Sequence, residues 1–216
     1  MPTPERTSLD AIVGAGRDIL EAEGLGGLTM QAVAERVGVR APSLYKRVRN
    51  RSDLVRLIAA SSVAELGRRL DAETVPVSGG AAGRDGTGAT GATDASAGTR
   101  AEIAEVARLA RVVRRFAHEQ PAAYRLVFSP GEESGLEVET LREASAPLLA
   151  VAGRLAGPDH ALDAARTLTA WITGFVSMEL SGAFRLGGDV DRAFEFGVDR
   201  IAAALAPRSG EGSSRL

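Results

Sequence analysis

Residues 28–55 read LTMQAVAERVGVRAPSLYKRVRNRSDLV. Thr29 is placed to cap a helix over "MQAVAERV", and Gly38 closes it by taking a left-handed backbone conformation at little steric cost. Pro42 suits the first turn of a second short helix, "PSLYKRV", because its missing N–H would be unbonded there in any case. Asn50, with Asp53 three residues on, begins a longer helix that runs to about Asp71. Ala34 is small where the two short helices cross. Leu44 and Val48 point back into a small core with Val33 and Val37, leaving Arg40, Ala41, Ser43, Tyr45, Lys46 and Arg47 outward.

Two short helices across a glycine turn make a helix-turn-helix, whose second member lies in the major groove of DNA. The charge pattern agrees. Residues 36–56 hold seven basic side chains and one acidic, in a chain whose formal net charge is -2. A helix this short with so few apolar positions needs its outer face for something other than packing. Tyr45 is the only aromatic residue before position 100. Its ring either packs over the helix edge with the hydroxyl donating to a phosphate, or is a half-buried core ring.

Helical periodicity continues on both sides. Upstream, Leu9, Ile12, Val13, Gly16, Ile19 and Leu20 form one stripe, Ser8 caps it, and "EGLGGLT" ends it near Glu23. Downstream, the fourth helix turns Leu54, Leu57, Ile58, Ser61 and Leu66 inward. Gly, Ala, Thr and Ser then fill twenty of the twenty-six positions 74–99. Such a stretch buries too little apolar area to offset its ordering entropy and reads as a disordered loop. From Arg100 onward the helices resume, with a bend expected at Pro147, and residues 208–216 form a disordered tail. No alternating strand pattern occurs, so the fold class is all-α. The domains expected are a helix-turn-helix domain over 1–50, a connecting helix over 51–73 and a helical bundle over 100–207.

Composition excludes several chemistries. Without cysteine there are no disulfides or thiolate metal sites. His118 and His160 lie far apart in sequence with no obvious nucleophile or carboxylate partner, and "GAGRDIL" supplies only Gly-x-Gly on a helix, too little for a nucleotide loop. The chain therefore reads as a protein without catalytic residues, metal or cofactor. A polar start, "MPTPERTSLD", and the absence of any run of 18 apolar residues predict a soluble cytoplasmic protein with no membrane partner.

Glycine, tyrosine, cap and apolar positions of the quoted stretch together resemble the DNA-binding segment of the tetracycline-repressor (TetR) family of bacterial regulators. That pattern runs Leu-Thr, a short helix ending in Gly-Val, a Leu-Tyr pair and a capped fourth helix, and the likeness covers roughly residues 9–58. Many members have His where Arg47 stands and Phe where Val48 stands. The resemblance implies that Gln31, Ala41, Pro42, Ser43 and Lys46 contact bases while Tyr45, Arg47 and Arg51 contact phosphates.

Eight of nine aromatic residues fall after position 100. "AWITGFVSMELSGAF" sets Leu168, Trp171, Ile172, Phe175 and Glu179 on one stripe, which puts a carboxylate among large apolar groups. Such a group is paired, here with Arg185 or Arg192, or faces a ligand. The segment is similar to the C-terminal domain of one TetR subgroup, with Thr173 where that subgroup has His. The resemblance implies a small-molecule pocket within about 100–180, for which Phe116, Tyr124, Phe128, Leu148, Trp171, Thr173, Phe175 and Glu179 are the candidate lining.

The last helix carries one stripe of Val190, Phe194, Val198, Ile201 and Leu205, and a second apolar face of Ala193, Phe196, Gly197 and Ala204. A terminal helix apolar on that much of its circumference requires two neighbours, and a symmetric dimer supplies the second. With Phe184, the first stripe is the candidate dimer interface. Dimerisation would space two recognition helices roughly 34–36 Å apart, matching a palindromic operator in double-stranded DNA. The function expected is a homodimeric repressor released from DNA by a small apolar or aromatic molecule. A DNA-binding dimer without a ligand, and an activator, share the same features.

Overall fold

The computed structural model describes residues 8–74, 91–128 and 136–207. Among them nine α-helices and one 3-10 turn occur, and no strand. The helices are α1 (Leu9–Gly27), α2 (Met30–Val37), α3 (Ala41–Leu44), α4 (Arg51–Glu73), α5 (Gly91–Glu119), α6 (Pro121–Phe128), α7 (Val138–Ala156), α8 (Ala161–Leu180) and α9 (Val190–Leu205). The turn is Pro158–His160.

Local chemistry sets most boundaries. Ser8 and Thr29 accept the amide protons of Ala11 and Ala32, each at 3.1 Å. The α1 backbone breaks at Gly24, whose φ of 71° leaves the helical region, so its regular part ends at Glu23 as the sequence predicts. Gly38, at φ 74°, lets the Val39 amide turn back to the Ala34 carbonyl at 2.9 Å. Helix three is shorter than predicted: four residues are α-helical, and Tyr45–Arg47 continue as a tight turn in which the Arg47 and Val48 amides both bond the Leu44 carbonyl. Pro147 is accommodated inside α7.

Part of the expected loop is helical. Residues 75–90 and the tail 208–216 lie outside the described residues, but Gly91–Thr99 belong to α5. Extending an existing helix by one residue fixes one residue per bond gained, whereas a new helix must first overcome the cost of nucleation, so a weak Ala/Thr/Ser segment follows its strong neighbour.

The helices gather into two compact units that do not follow sequence order. The first takes its described residues from Met1–Arg68 and Arg115–Ala144, the second from Arg69–Arg114 and Ser145–Leu216. In the first, Ile12, Ile19, Leu20 and Leu28 of α1 and its following turn bury with Val33, Leu44, Val48, Leu54 and Ile58, and Leu126 of α6 joins them. Leu9, at the solvent edge of the predicted stripe, is exposed. α1 and α4 approach closely: a methyl group on Gly16 would come within 2.6 Å of Ile58 Cδ1. In the second unit Leu109, Val151, Leu155, Leu168, Ile172, Val176, Phe194 and Val198 are buried, and an Arg154–Glu105 pair at 2.6 Å ties α7 to α5.

Candidate nucleic-acid interface

α3 and the turn after it are held by one face. Leu44 and Val48 are buried completely, and the residues around them point outward. Arg40, Pro42, Tyr45, Lys46 and Arg47 are exposed, while Ala41 and Ser43 are half-buried. Tyr45 is 54% exposed, so its ring is not part of the core. The Arg40 and Lys46 side chains have no hydrogen-bond or ion-pair partner among the described residues. The result is a narrow row of donors on a fixed backbone, the requirement for meeting phosphates and base edges.

Two predicted contacts are differently engaged. Gln31 donates to Glu35 one turn on, 2.7 Å away, across the exposed face of α2. Arg51 turns inward, its Nε donating to the Leu28 carbonyl at 2.9 Å and its Nη2 to the Leu25 carbonyl at 2.7 Å. These carbonyls end α1 and have no partner within the helix, so Arg51 closes the turn from α1 to α2. The family resemblance set it on phosphate, and the sequence by itself does not distinguish an arginine that faces DNA from one that faces a carbonyl 23 positions earlier.

The start of α4 is fixed by side chains. Asn50 accepts the Asp53 amide at 2.8 Å, and Asp53 accepts the Arg49 amide at 3.0 Å and a guanidinium proton of Arg56 at 2.9 Å. The Arg49 amide, then Arg56, hold the Asp53 carboxyl below the usual carboxylate range.

The eight candidate ligand residues are distributed over both units. Phe116 and Tyr124 are buried in the first, with the Phe128 ring 4.8 Å from Tyr124. In the second, Trp171 and Phe175 stack at 5.3 Å, Leu148 is half-buried, and the half-buried Thr173 bonds back to the Thr169 carbonyl of its own helix at 2.7 Å. Glu179 is paired with Arg114 rather than with Arg185 or Arg192. Arg114 grips it with two bonds of 2.8 and 2.5 Å, reaches Asp191 at 2.5 Å, and lies 4.9 Å over the Phe194 ring. Hydrogen bonding to Glu179 is the main reason that the Arg114 pKa is raised. One turn earlier Arg111 makes the same two-pronged contact with Glu195, holding that carboxyl below its ordinary range. Sequence reasoning missed both arginines because 65 and 84 positions separate them from their partners.

The predicted dimer stripe is largely used inside the chain. Phe194 and Val198 are buried, Val190, Ile201 and Leu205 are half-buried, and only Phe184 is exposed. The second apolar face carries the exposure instead: Ala193, Phe196 and Ala204 on α9, with Ala170, Gly174, Ser177 and Met178 on α8. A cleft of about 420 Å³ at the α8–α9 connection is lined by Phe175, Phe184, Val190, Arg192, Ala193 and Phe196, among others. The helix pair is close-packed between, because Gly197 admits the Trp171 ring, whose Cη2 would lie 2.7 Å from an added methyl. No helix among the described residues is long and apolar enough to cross a membrane.

Comparison with known proteins agrees with this geometry. Residues 12–58 match the model of bacterial regulatory proteins of the tetR family, and residues 106–201 match that of the tetracyclin repressor-like C-terminal domain. An uncharacterized HTH-type transcriptional regulator of Mycobacterium tuberculosis is 27% identical over 98% of this chain and 87% of its own length. The class A tetracycline repressor of Escherichia coli is 38% identical over 26% of each chain. Among solved structures, a Rhodococcus protein of unknown function superposes with TM-score 0.70 at 19% identity, covering 96% of this chain and all of that one. A single-substitution variant of TetR from Acinetobacter baumannii, crystallised with minocycline, gives 0.60 at 19% identity over 92% and 96% of the two chains. A helix-turn-helix with a basic outer row, followed by a matching C-terminal helical domain, identifies the chain as a member of the TetR family, whose members are transcriptional regulators and not enzymes.

Proposed function

We propose that the protein is a homodimeric repressor that acts in the cytoplasm, binds a palindromic operator through α3 and leaves it when a small apolar or aromatic molecule binds the C-terminal unit. The observation that carries the DNA part is the outward row of α3 and its flanking residues, where the Arg40 and Lys46 side chains are unpaired among the described residues and Tyr45 is exposed while Leu44 and Val48 anchor the backbone. Lys46, Ser43, Pro42, Ala41 and Gln31 read bases, Gln31 after leaving Glu35. Arg40, Tyr45 and Arg47 hold phosphates. Arg51 serves by positioning α1 against α2.

The two kinds of contact have separate signatures. A base contact discriminates by about 1–3 kcal/mol, whereas a phosphate contact adds sequence-blind, salt-sensitive affinity. Lys46→Ala is expected to lower operator binding about tenfold while leaving random DNA unchanged, and Arg47→Glu to weaken both. The checking measurement is fluorescence anisotropy with DNA from upstream of the protein's own gene and with a random duplex, at two salt concentrations. Equal losses on both duplexes for Lys46→Ala would remove its base-reading role.

The second copy covers the exposed face of α8 and α9, where Phe196 and the small residues Ala193, Ala170, Gly174 and Ser177 leave room for close helix approach. An effector is supported by likeness to a C-terminal domain whose structural neighbour was crystallised with minocycline. A dimer without a ligand is favoured by a different observation, that Arg114 already neutralises Glu179. A thermal-shift screen separates the two, since a ligand that binds the folded state raises the melting temperature with its concentration.

A further inference from the structure

Glu21 lies on α1 and reaches the first turn of α6. Pro121 opens α6 without an N–H, so Ala122 and Ala123 carry its first free amides, and both donate to the Glu21 carboxylate, at 3.0 Å to Oε2 and 2.7 Å to Oε1. A carboxylate spanning these two donors satisfies groups that no helical carbonyl can reach and sits at the positive end of the helix dipole.

The residue that would ordinarily cap α6 is Gln120, and its amide is used elsewhere. Its Oε1 accepts from Arg17 Nη2 at 2.6 Å, its Nε2 donates to Glu65 at 3.0 Å, and Arg17 pairs with Glu65. α1, α4 and the start of α6 thus share one network of charged and amide groups. α6 completes the attachment with an apolar face: Ala123, Tyr124, Leu126 and Val127 are buried, and Leu126 enters the same core as Leu44 and Val48, the two residues that seat α3.

We propose that Glu21 is a positioning residue for DNA reading. By capping α6 it makes that helix a fourth support of the reader, so that any event lifting α6 from α1 weakens DNA binding. The inference rests on α3 as the reader. Coupling between two binding equilibria is reciprocal, so DNA on α3 must in turn tighten α6 on α1.

The test is hydrogen–deuterium exchange of the full-length protein with and without a duplex that the protein has selected from a random-sequence library. The parent is expected to show slower exchange of the Tyr124–Val127 amides when DNA is bound. Glu21→Ala is expected to bind the duplex about tenfold more weakly, the weight of one helix cap, and to lose the DNA-linked slowing in α6. Glu21→Gln, which keeps one acceptor oxygen, is expected to fall between them. A Glu21→Ala protein that melts earlier but keeps the parental affinity and the slowing in α6 overturns the proposal, because Glu21 is then only a structural cap. So does a parent that binds DNA without any change in α6. A parent that selects no duplex refutes the assignment of α3, and the proposal with it.

Discussion

α3 and α9 use the same alphabet of helix surface to opposite ends. α3 and the turn after it commit two apolar residues, Leu44 and Val48, to the core and turn a row of hydrogen-bond donors to solvent. α9 buries Phe194, Val198 and Ala202 on one side and keeps Phe196, 63% exposed, on the other, beside small residues and a cleft. Exposed donors on a rigid backbone suit a charged polymer that is itself hydrated, whereas exposed aromatic surface gains only when another apolar surface removes it from water. The contrast teaches that the surface left over after a helix has packed on its own chain indicates the chemistry of its partner.

The sharpest way to break this comparison is to remove the anchor of α3. Leu44→Ala is expected to cost about 3 kcal/mol, the usual weight of a leucine deleted from a closed core, measured by denaturant unfolding. A loss below about 1 kcal/mol would mean that α3 rests on something other than its two apolar residues.

The next largest effect is expected at α9. Gly197→Ala would gain up to about 1 kcal/mol on an exposed helix, but here the new methyl overlaps the Trp171 ring. Overpacking costs about 1–3 kcal/mol, so the variant is expected to melt earlier. Trp171 is the only tryptophan, and its emission reports the displacement directly. An unchanged spectrum with raised stability would show that α8 and α9 separate easily.

Phe196→Ser tests what the left-over surface is for. Stability of the isolated chain is expected to change by less than about 0.5 kcal/mol, as at other exposed sites. Dimer dissociation in sedimentation velocity is expected to rise about tenfold or more, since a buried Phe is worth about 1.5–3 kcal/mol. Parental self-association in this variant would move the interface off α9.

The smallest effect is set by pH, and it has the same sign in both regions. Asp53 and Glu195 have folded pKa values below their ordinary ones, the first through the Arg49 amide and the second through Arg111. Their contributions are therefore present above the unfolded pKa and are lost as pH falls through the folded value. Asp53→Asn is expected to flatten the loss of stability between about pH 5 and about pH 3, measured by thermal melts. A slope equal to the parent's would show that Asp53 contributes through its hydrogen bonds alone.

By itself the sequence determined the elements whose causes lie within one or two turns: the caps at Ser8, Thr29 and Asn50, the left-handed turn at Gly38, the inward Leu44 and Val48, and with them the reader and its family. Tertiary structure alone decided which of two available faces or partners was used. Glu179 went to Arg114 and Arg51 to the Leu25 and Leu28 carbonyls, α6 joined the reader through Glu21, and α9 buried its first stripe within the chain and exposed its second. The physical reason is range. Caps and glycine turns are energetic choices among neighbours a few residues apart, whereas an arginine with five donors, or a helix with two apolar faces, has several satisfactory outcomes until the chain brings one of them near.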